Sequence, residues 1–431
     1  MDQAAGASQH PASYWAATAV GDRDRPELDG DLSVDVAVIG GGFTGLSAAY
    51  HLQELGLKAA VLEQHRVGWG ASGRNAGMLI PGFKYGFAEL AQRWGLEGAR
   101  ALLRLKLESA DLVEQIITRH NIACHWRRCG SLAAAWKPSH MEELREAQRF
   151  NAQQLGYETW IVEKDDLATE LDSPVYHGGK VDPHACGFHP LNYALGLARA
   201  VEERGGLIFH GSPVRGLQRA GDDWVLQTPR GRVRARHVVV GTNGHTPPVV
   251  PRLHRSIMPV GNNVIVTEPL DEELARRLIP NDRMVYDTKR LLYYFRLTPD
   301  RRMLFGGRGV LSGREGPPSF RVLQRAMTRI FPDLAGARIE YAWGGYTGFT
   351  LDFLPHIGRT RDGIWFALGY CGSGAALSTM MGRLLALDIA GRERSRYPLE
   401  ELDLKPIPLY GARGLVLRAA TLYFKWRDYV D

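Results

Sequence analysis

Three glycines and one carboxylate have the types and spacing needed to bind a dinucleotide. Gly40, Gly42 and Gly45 form a G-x-G-x-x-G, and Glu63 follows about 20 residues later. The first glycine allows a tight turn, the second lets the backbone approach a pyrophosphate, and the third lets a helix pack closely on a strand. A carboxylate in the position of Glu63 can accept hydrogen bonds from ribose hydroxyls.

The elements around these residues predict a βαβ unit that holds them in place. The apolar run Val36–Ile39 is typical of a buried parallel strand, and Leu46, Ala49 and Tyr50 fall on one face of the helix that follows. A second apolar run, 58–62, leads into the carboxylate. A bare G-x-G-x-x-G also occurs in ordinary glycine-rich turns. Here the strand, the helix, the second strand and the carboxylate follow one another with the spacing of a βαβ unit. This spacing favours a nucleotide site at the helix N-terminus.

The composition is that of a globular protein large enough for two domains. The chain has 431 residues, of which 45% are hydrophobic and 23% are charged, and its net charge is +6. The basic residues are scattered, so nucleic-acid binding is not predicted. No apolar run approaches the ~18 residues of a membrane span, and the N-terminus lacks the features of a signal peptide.

The cysteines argue against a disulfide framework or a zinc site. Cys124, Cys129, Cys186 and Cys371 contain no C-x-x-C spacing, so no metal is predicted. This cysteine usage fits a reducing compartment, and we expect a cytoplasmic protein.

Further along the chain, the α/β pattern of the opening unit returns twice. A helix is predicted within 187–206, a hairpin at 224–236 and a buried strand with a glycine turn at 237–244. The last unit, 364–390, predicts a strand, a glycine turn and a helix N-terminus suited to an oxygen-rich ligand. The stretch Gly68–Gly77 holds four glycines, and we expect a loop that wraps the ligand.

The remaining segments predict a second domain, inserted in two pieces. Amphipathic helices at 96–118 and 140–155 flank a short strand, and 255–342 favours an antiparallel sheet. We therefore predict an α/β protein with a discontinuous, Rossmann-like nucleotide-binding domain and an antiparallel-sheet substrate domain. The predicted segments are a lead-in at 1–30, the nucleotide-binding domain at 31–90, 181–252 and 344–395, the substrate domain at 91–180 and 253–343, and a C-terminal tail at 396–431.

The apolar and basic tail is interpreted as a helix docked on the body, with a membrane-surface helix as the alternative.

The order of these motifs resembles the FAD-dependent D-amino-acid oxidase, glycine oxidase and sarcosine oxidase superfamily, over most of the chain. The matching stretches are VAVIGGGFTGLSAAYHL, VGWGASGRNAG, FHPLNYALGLARAVEERGG, ARHVVVGTNGHT, WGGYTGFTLDFLPHIG and ALGYCGSGAALSTMMGRLLA. Within the superfamily, SYWAATA, GASGRNAG and LYYFRLTPDRRMLFGG are most similar to gamma-glutamylputrescine oxidase and its relatives.

The resemblance implies FAD as the cofactor, with binding residues spread along the chain. Glu63 would hold the adenosine ribose, Val214 would lie by the adenine, and the turn before the last helix would face the pyrimidine end of the flavin. A helix N-terminus there would stabilise the negative charge that reduction adds. The implied cofactor-binding residues are Gly40, Gly42, Phe43, Thr44, Gly45, Glu63, Gly70, Ala71, Ser72, Arg74, Asn75, Val214, Thr242, Asn243, Gly244, Gly345, Gly372, Ser373 and Gly374.

Two departures from the superfamily pattern shape the expected chemistry. Members with covalent flavin carry a cysteine where Gly345 stands, so we expect non-covalent FAD. Members that act on α-amino acids carry an Arg-Pro pair where this chain has Thr347 and Gly348. Threonine cannot make the bidentate, charged hydrogen bonds by which arginine binds a carboxylate. An α-amino-acid substrate is therefore disfavoured unless Arg296 or Arg308 substitutes.

Aromatic residues are the expected lining of the substrate pocket and the candidates for catalysis. They are Tyr293, Tyr294, Trp343 and Tyr346. Strand alternation puts the two adjacent tyrosines on opposite faces, so at most one should point into the site. An aromatic cage would suit an amine cation; packing in the sheet is the alternative for each ring.

Potential bases and a thiol are also present, though each has an ordinary structural explanation. His184, His189 and His356 could act as bases, but a structural histidine is the commoner case. Cys371 is a weak candidate for a catalytic thiol, because no partner histidine is indicated by the sequence.

These features predict an FAD-dependent amine oxidoreductase. Hydride would pass from the amine α-carbon to FAD, the imine would hydrolyse, and O2 would be the acceptor, giving H2O2. The expected partner is a small amine, such as a gamma-glutamylated polyamine. One alternative is an amino-acid, opine or sarcosine-type dehydrogenase that passes electrons to a quinone or carrier protein. Another is a flavoprotein that acts on a macromolecule, which the composition supports little.

Overall fold

Two large sheets with helices around them form the part of the chain that this computed structural model describes, residues 9–307 and 316–430. The helices are α1 (Tyr14–Ala17), α2 (Phe43–Glu54), α3 (Phe87–Arg119), α4 (Pro138–Phe150), α5 (Pro190–Glu203), α6 (Pro251–Ser256), α7 (Glu272–Leu278), α8 (Pro317–Ile330), α9 (Gly374–Ile389) and α10 (Arg413–Val430). The strands are β1 (Gly30–Ile39), β2 (Ala59–Leu62), β3 (Met78–Leu79), β4 (Arg127–Arg128), β5 (Ser131–Ala134), β6 (Trp160–Glu163), β7 (Gly178–Asp182), β8 (Cys186–Gly187), β9 (Leu207–Phe209), β10 (Gly216–Ala220), β11 (Asp223–Gln227), β12 (Gly231–Val240), β13 (Met258–Thr267), β14 (Met284–Asp287), β15 (Tyr293–Leu297), β16 (Met303–Gly307), β17 (Ile339–Phe349), β18 (His356–Arg359) and β19 (Trp365–Leu368).

The first sheet has the parallel centre that the opening motif predicts. Its order is β10-β11-β12-β1-β2-β9, and β19 pairs with β12. Strand β1 lies between two parallel partners, β12 and β2. Val36 and Val38 pack into one core with residues of α2, α5 and α9, while Ala37 and Ile39 pack into another. Both faces of β1 are therefore buried, which explains its unbroken apolar run.

The second sheet is antiparallel except for one pair. Its order is β17-β13-β16-β15-β14-β5-β7-β6, with β5 and β14 parallel. Phe295 and Phe305 stack on one of its faces, and Phe331 packs edge-on against Phe295. Leu323 and Met327 of α8 complete this core. A third, small sheet has the order β3-β8-β4.

The division into a nucleotide-binding and a substrate domain stays a prediction, and one of its boundaries falls inside a strand of the second sheet. Strand β17 pairs with β13 along its whole length, up to Phe349. It therefore crosses the predicted boundary between 343 and 344.

The chain termini dock on this body. Trp15 is buried, and its indole N–H donates to the Asn75 carbonyl over 2.8 Å, while the Tyr14 hydroxyl donates to Asp300 over 2.6 Å. At the other end, Leu417 and Phe424 of α10 pack against a cluster that includes Phe349. None of the helices in the described ranges has the length and apolarity needed to span a bilayer.

Candidate cofactor and substrate site

A cavity of about 540 Å³ lies where the carboxyl ends of the parallel strands meet the second sheet. That volume is typical of sites for small molecules and cofactors. The sequence-predicted residues that line it are Gly40, Gly42, Phe43, Thr44, Glu63, Gly70, Ala71, Ser72, Arg74, Asn75, Val214, Thr242, Asn243, Tyr294, Gly345, Tyr346, Gly372, Ser373 and Gly374.

The turn between β1 and α2 requires glycine for two different reasons. Gly40 has a φ of +105°, which disfavours any side chain. A Cβ on Gly45 would lie 2.0 Å from the Gly40 carbonyl oxygen, so only hydrogen fits there. Gly45 does not line the cavity; it lets the turn and helix close together beneath it. The backbone around Gly42 is thereby left open toward the cavity.

The carboxylate of Glu63 is held at the cavity wall by backbone donors. The Gly41 N–H donates to Oε2 over 2.7 Å, and the His65 N–H donates to Oε1 over 2.8 Å. Burial raises the pKa of Glu63, and these N–H donors partly oppose the rise. Each oxygen keeps a second lone pair, so the fixed carboxylate can accept further hydrogen bonds.

A second helix N-terminus opens on the same cavity. Ser373 is the N-cap residue of α9, and its side chain makes no capping hydrogen bond. The preceding turn is anchored by Tyr370, whose hydroxyl lies 2.7 Å from the Thr44 hydroxyl of α2. The N-termini of α2 and α9 therefore face one space, and both favour negative charge.

Side chains from the second sheet line the other end of the cavity. Tyr294 and Tyr346 contribute aromatic rings, and the Asn262 side-chain amide donates to the Thr347 hydroxyl over 2.8 Å. His245 packs edge-on against Tyr346, and burial lowers its pKa to about 4. This histidine is therefore neutral near pH 7.

Two of the predicted aromatic site residues do not reach the cavity. The Tyr293 ring packs against Phe305 in the core of the second sheet, because the pleat turns it away from the face that Tyr294 occupies. Trp343 is buried beside the cavity loop, and its indole N–H donates to the Arg74 carbonyl over 2.9 Å. Tyr293 and Trp343 are thus not among the lining residues, and the contacts described give them packing and positioning roles, while their predicted catalytic roles stay untested predictions.

Gly244 also lies off the cavity. A Cβ there would come within 3.3 Å of the Gly348 backbone nitrogen, so this glycine allows close contact with β17. Its predicted contact with the cofactor stays a prediction that the lining of this cavity does not favour.

Two arginines that could replace the missing carboxylate partner donate to backbone carbonyls. Arg296 is buried, and its guanidinium donates to the carbonyls of Gly77, Phe188 and Leu297. Arg74 lines the cavity, where it donates to the Trp69 and Gly344 carbonyls. Arg308 lies outside the described residues.

The histidines predicted as possible bases have structural roles. His189 accepts from the Asn192 N–H as the N-cap of α5, His356 pairs with Asp352, and His184 stacks on Tyr157. Cys371 lines the cavity, and its thiol donates to the Gly369 carbonyl over 3.1 Å.

Sequence reasoning missed several residues of the site. Lys106, Asn262 and Tyr286 line the cavity but belong to no motif, and His245 also lines it, within the matching stretch ARHVVVGTNGHT, although it was not predicted as a site residue. They come from a long helix, a 3-10 turn and two strands of the second sheet, and no local pattern connects them. In the described ranges, no cluster of His, Cys, Asp and Glu could hold a metal ion.

The cavity suits a dinucleotide along its length. It offers a glycine turn at a helix N-terminus, a carboxylate fixed by backbone donors beside Val214, and a second helix N-terminus at Gly372–Gly374. These are groups that bind pyrophosphate, ribose and an electron-rich ring.

Comparison with known proteins agrees with this geometry. The family described as FAD dependent oxidoreductase (DAO) matches residues 35–387. The chain is 34% identical to gamma-glutamylputrescine oxidoreductase of Escherichia coli, over 98% of this chain and 99% of that protein. It is also 34% identical to the protein named "Probable oxidoreductase OrdL" of Haemophilus influenzae, over 97% and 98% of the two chains.

Solved structures show the same fold. Glycine oxidase from Geobacillus kaustophilus superposes with a TM-score of 0.73 at 22% identity, over 87% of this chain and 99% of that chain. L-proline dehydrogenase from P. horikoshii gives a TM-score of 0.71 at 20% identity, over 86% and 96%. The chain therefore belongs to the DAO family of FAD-dependent oxidoreductases.

Proposed function

We propose that this enzyme oxidises an amine whose reacting carbon bears no carboxylate, a gamma-glutamylated polyamine being the best candidate. The observation that carries the proposal is the hydrogen-bonded pair Thr347–Asn262 at the cavity. The superfamily resemblance implies an arginine at the place of Thr347 in members that act on α-amino acids. A hydroxyl and an amide can bind a neutral group but give no charged fork to a carboxylate. The similarity to gamma-glutamylputrescine oxidoreductase supports the same substrate class.

The cofactor is proposed to bind without a covalent bond. Gly45 and Gly40 shape the turn for the pyrophosphate, Glu63 accepts from the ribose, and Gly345 offers no thiol for attachment. When bound, FAD supplies the oxidant: it accepts hydride from the carbon next to nitrogen and passes two electrons to O2, giving H2O2. Acid precipitation should release all the flavin into the supernatant.

The cavity residues would position the amine and hold water away from it. The rings of Tyr294 and Tyr346 attract an ammonium group, and His245, uncharged near pH 7, does not repel it. The amine must lose its proton before oxidation, so the reaction should speed up as pH rises. The substrate leaves as an imine, which water hydrolyses to a carbonyl compound and a released amine or ammonia.

The C-terminal helix favours a second candidate for the electron acceptor. Leu415, Leu422, Tyr423 and Trp426 of α10 are exposed on the same helix as Arg418 and Lys425. An exposed apolar and basic helix can lie on an anionic membrane, where a quinone would accept the electrons. Oxygen uptake with amine that matches the rate of flavin reduction would exclude this alternative.

The test of the substrate class is anaerobic mixing with two panels of compounds while flavin absorbance is followed. We expect fast bleaching by polyamines or gamma-glutamyl polyamines. Fast bleaching by D-amino acids, glycine or sarcosine, with none by the polyamine panel, would overturn the proposal. The cytoplasmic location that we propose is supported by four cysteines that are all free thiols.

A further inference from the structure

A lysine that belongs to no motif reaches the cavity from α3. Lys106 is 2% exposed, and it is a lining residue of the cavity. Its Nζ donates to the Ser373 carbonyl over 3.0 Å and lies 5.3 Å from the centre of the Phe83 ring. The ammonium group is therefore held against the turn that begins α9.

This ammonium lacks an acidic partner. An ammonium has three N–H donors, and in residues 9–307 and 316–430 the Ser373 oxygen is the acceptor found for one of them. No carboxylate of those ranges forms an ion pair with Lys106. Burial, with no compensating charge, lowers the pKa of Lys106 to about 7. A methionine would fill a similar volume without the free-energy cost of burying an unpaired charge. The partner of this ammonium is therefore expected in a ligand of the cavity rather than among the protein's own atoms.

The place of Lys106 indicates which anion it serves. The Ser373 carbonyl belongs to the N-terminal turn of α9, whose N-cap side chain makes no capping hydrogen bond. A buried ammonium and the positive end of a 16-residue helix thus converge at one wall of the cofactor cavity. Thr347 and Asn262, the polar pair of the substrate end, belong to the second sheet and bond to each other.

We propose that Lys106 is the cationic partner of the negative charge that FAD acquires on reduction, at the N1–C2 carbonyl side of its ring. A hydride brings two electrons and one proton, so one negative charge remains on the ring. The Lys106 ammonium keeps its own proton and pairs with this charge through an unused N–H. It therefore favours reduced over oxidised cofactor, which promotes hydride acceptance. The inference rests on FAD dependence and is independent of which amine is oxidised.

The test uses the FAD-loaded enzyme and needs no substrate. Sulfite adds to flavin and creates a similar negative charge, so its affinity can be titrated by absorbance, alongside the two-electron midpoint potential. We expect Lys106→Met to weaken sulfite binding roughly tenfold or more and to lower the potential by about 30 mV or more, the equivalent of tenfold for two electrons. Lys106→Arg should keep both values within about threefold of the wild type. Arg104→Met is the matched control, because it removes one exposed charge from the same helix.

Two results would overturn the proposal. The first is a Lys106→Met enzyme with full FAD content whose sulfite affinity and potential equal those of the control. The second is a change confined to KM for substrates that carry an anionic group, which would assign Lys106 to the substrate.

If Lys106→Met fails to retain FAD, the wild-type enzyme can still refute the proposal. Its reduced flavin should remain anionic, by absorbance, to a lower pH than free reduced FAD measured alongside. Protonation at the same pH as the free cofactor would contradict the proposal.

Discussion

At one end of the cavity the wall is a short local turn; at the other it is assembled from distant parts of the chain. Gly41 and Glu63, which bond at the nucleotide end, are 22 residues apart. Asn262 and Thr347, which bond at the substrate end, are 85 residues apart. The nucleotide end can therefore be recognised from a motif, whereas the substrate end depends on how two sheets meet. We therefore expect mutations at the nucleotide end to change cofactor binding, and mutations at the other end to change substrate choice.

The largest expected effect is at the nucleotide end, in Gly45→Ala. The new Cβ would lie 2.0 Å from the Gly40 carbonyl oxygen, which is backbone and cannot step aside. We expect loss of about 3 kcal/mol or more of stability and less than roughly a tenth of the normal FAD content. Thermal unfolding and flavin absorbance measure both. Gly336→Ala, where nothing lies within 4 Å, should behave as wild type; equal behaviour of the two variants would refute the close-packing account.

The next effect is that of Glu63→Ala. Removing a carboxylate that bonds the ribose should cost about 1.5–3 kcal/mol, so FAD binding should weaken roughly ten- to a hundredfold. The melting temperature should fall through the lost ligand linkage. Glu63→Gln, which keeps an oxygen for the Gly41 N–H, should lose less. Unchanged flavin affinity in the alanine variant would remove Glu63 from the site.

A matched pair of tyrosines tests the separation of substrate binding from packing. Tyr294→Ala removes a cavity ring, so kcat/KM for the amine should fall by about tenfold, since a cation–π contact contributes about 0.5–2 kcal/mol. Its FAD content should be normal. Tyr293→Ala removes a ring that packs on Phe305 and should lower the melting temperature with little change in KM. A fall in kcat/KM for Tyr293→Ala and a fall only in melting temperature for Tyr294→Ala would show that Tyr293, and not Tyr294, faces the cavity.

These tyrosines also show how far sequence reasoning reaches. Strand alternation correctly predicts that at most one of Tyr293 and Tyr294 enters the site, but it cannot say which, because the register with β16 decides it. The βαβ unit and the last helix were predictable, since their signals lie within about 30 residues. Lys106 was predicted as part of an amphipathic helix face, and its place at the cavity follows from the packing of α3 on α9. Trp343 looked like a pocket residue because its indole partner, the Arg74 carbonyl, is remote in sequence.

The smallest effect is the pH dependence of stability that the buried Lys106 ammonium causes in the protein without FAD. Burial alone lowers its pKa to about 7, below the ~10.4 of an unfolded lysine. Between these values the unfolded chain binds more protons, so this group makes the free energy of unfolding rise with pH above about 7. Melting temperatures of wild type and Lys106→Met should differ by a few degrees near pH 7 and converge toward pH 10. A constant difference across this range would mean that Lys106 does not titrate there.

The central claim is that the reacting carbon carries no carboxylate, and two compounds that differ by that group test it most directly. Gamma-glutamylputrescine and the matching gamma-glutamyl derivative of ornithine should be mixed anaerobically with the enzyme in a stopped-flow instrument, and the rate of FAD reduction compared at saturation. With Thr347 and Asn262 at the cavity, we predict reduction at least about tenfold faster with the putrescine compound, because these two neutral side chains cannot replace the bidentate charged hydrogen bonds of an arginine to a carboxylate. Equal rates, or faster reduction by the ornithine compound, would contradict the account.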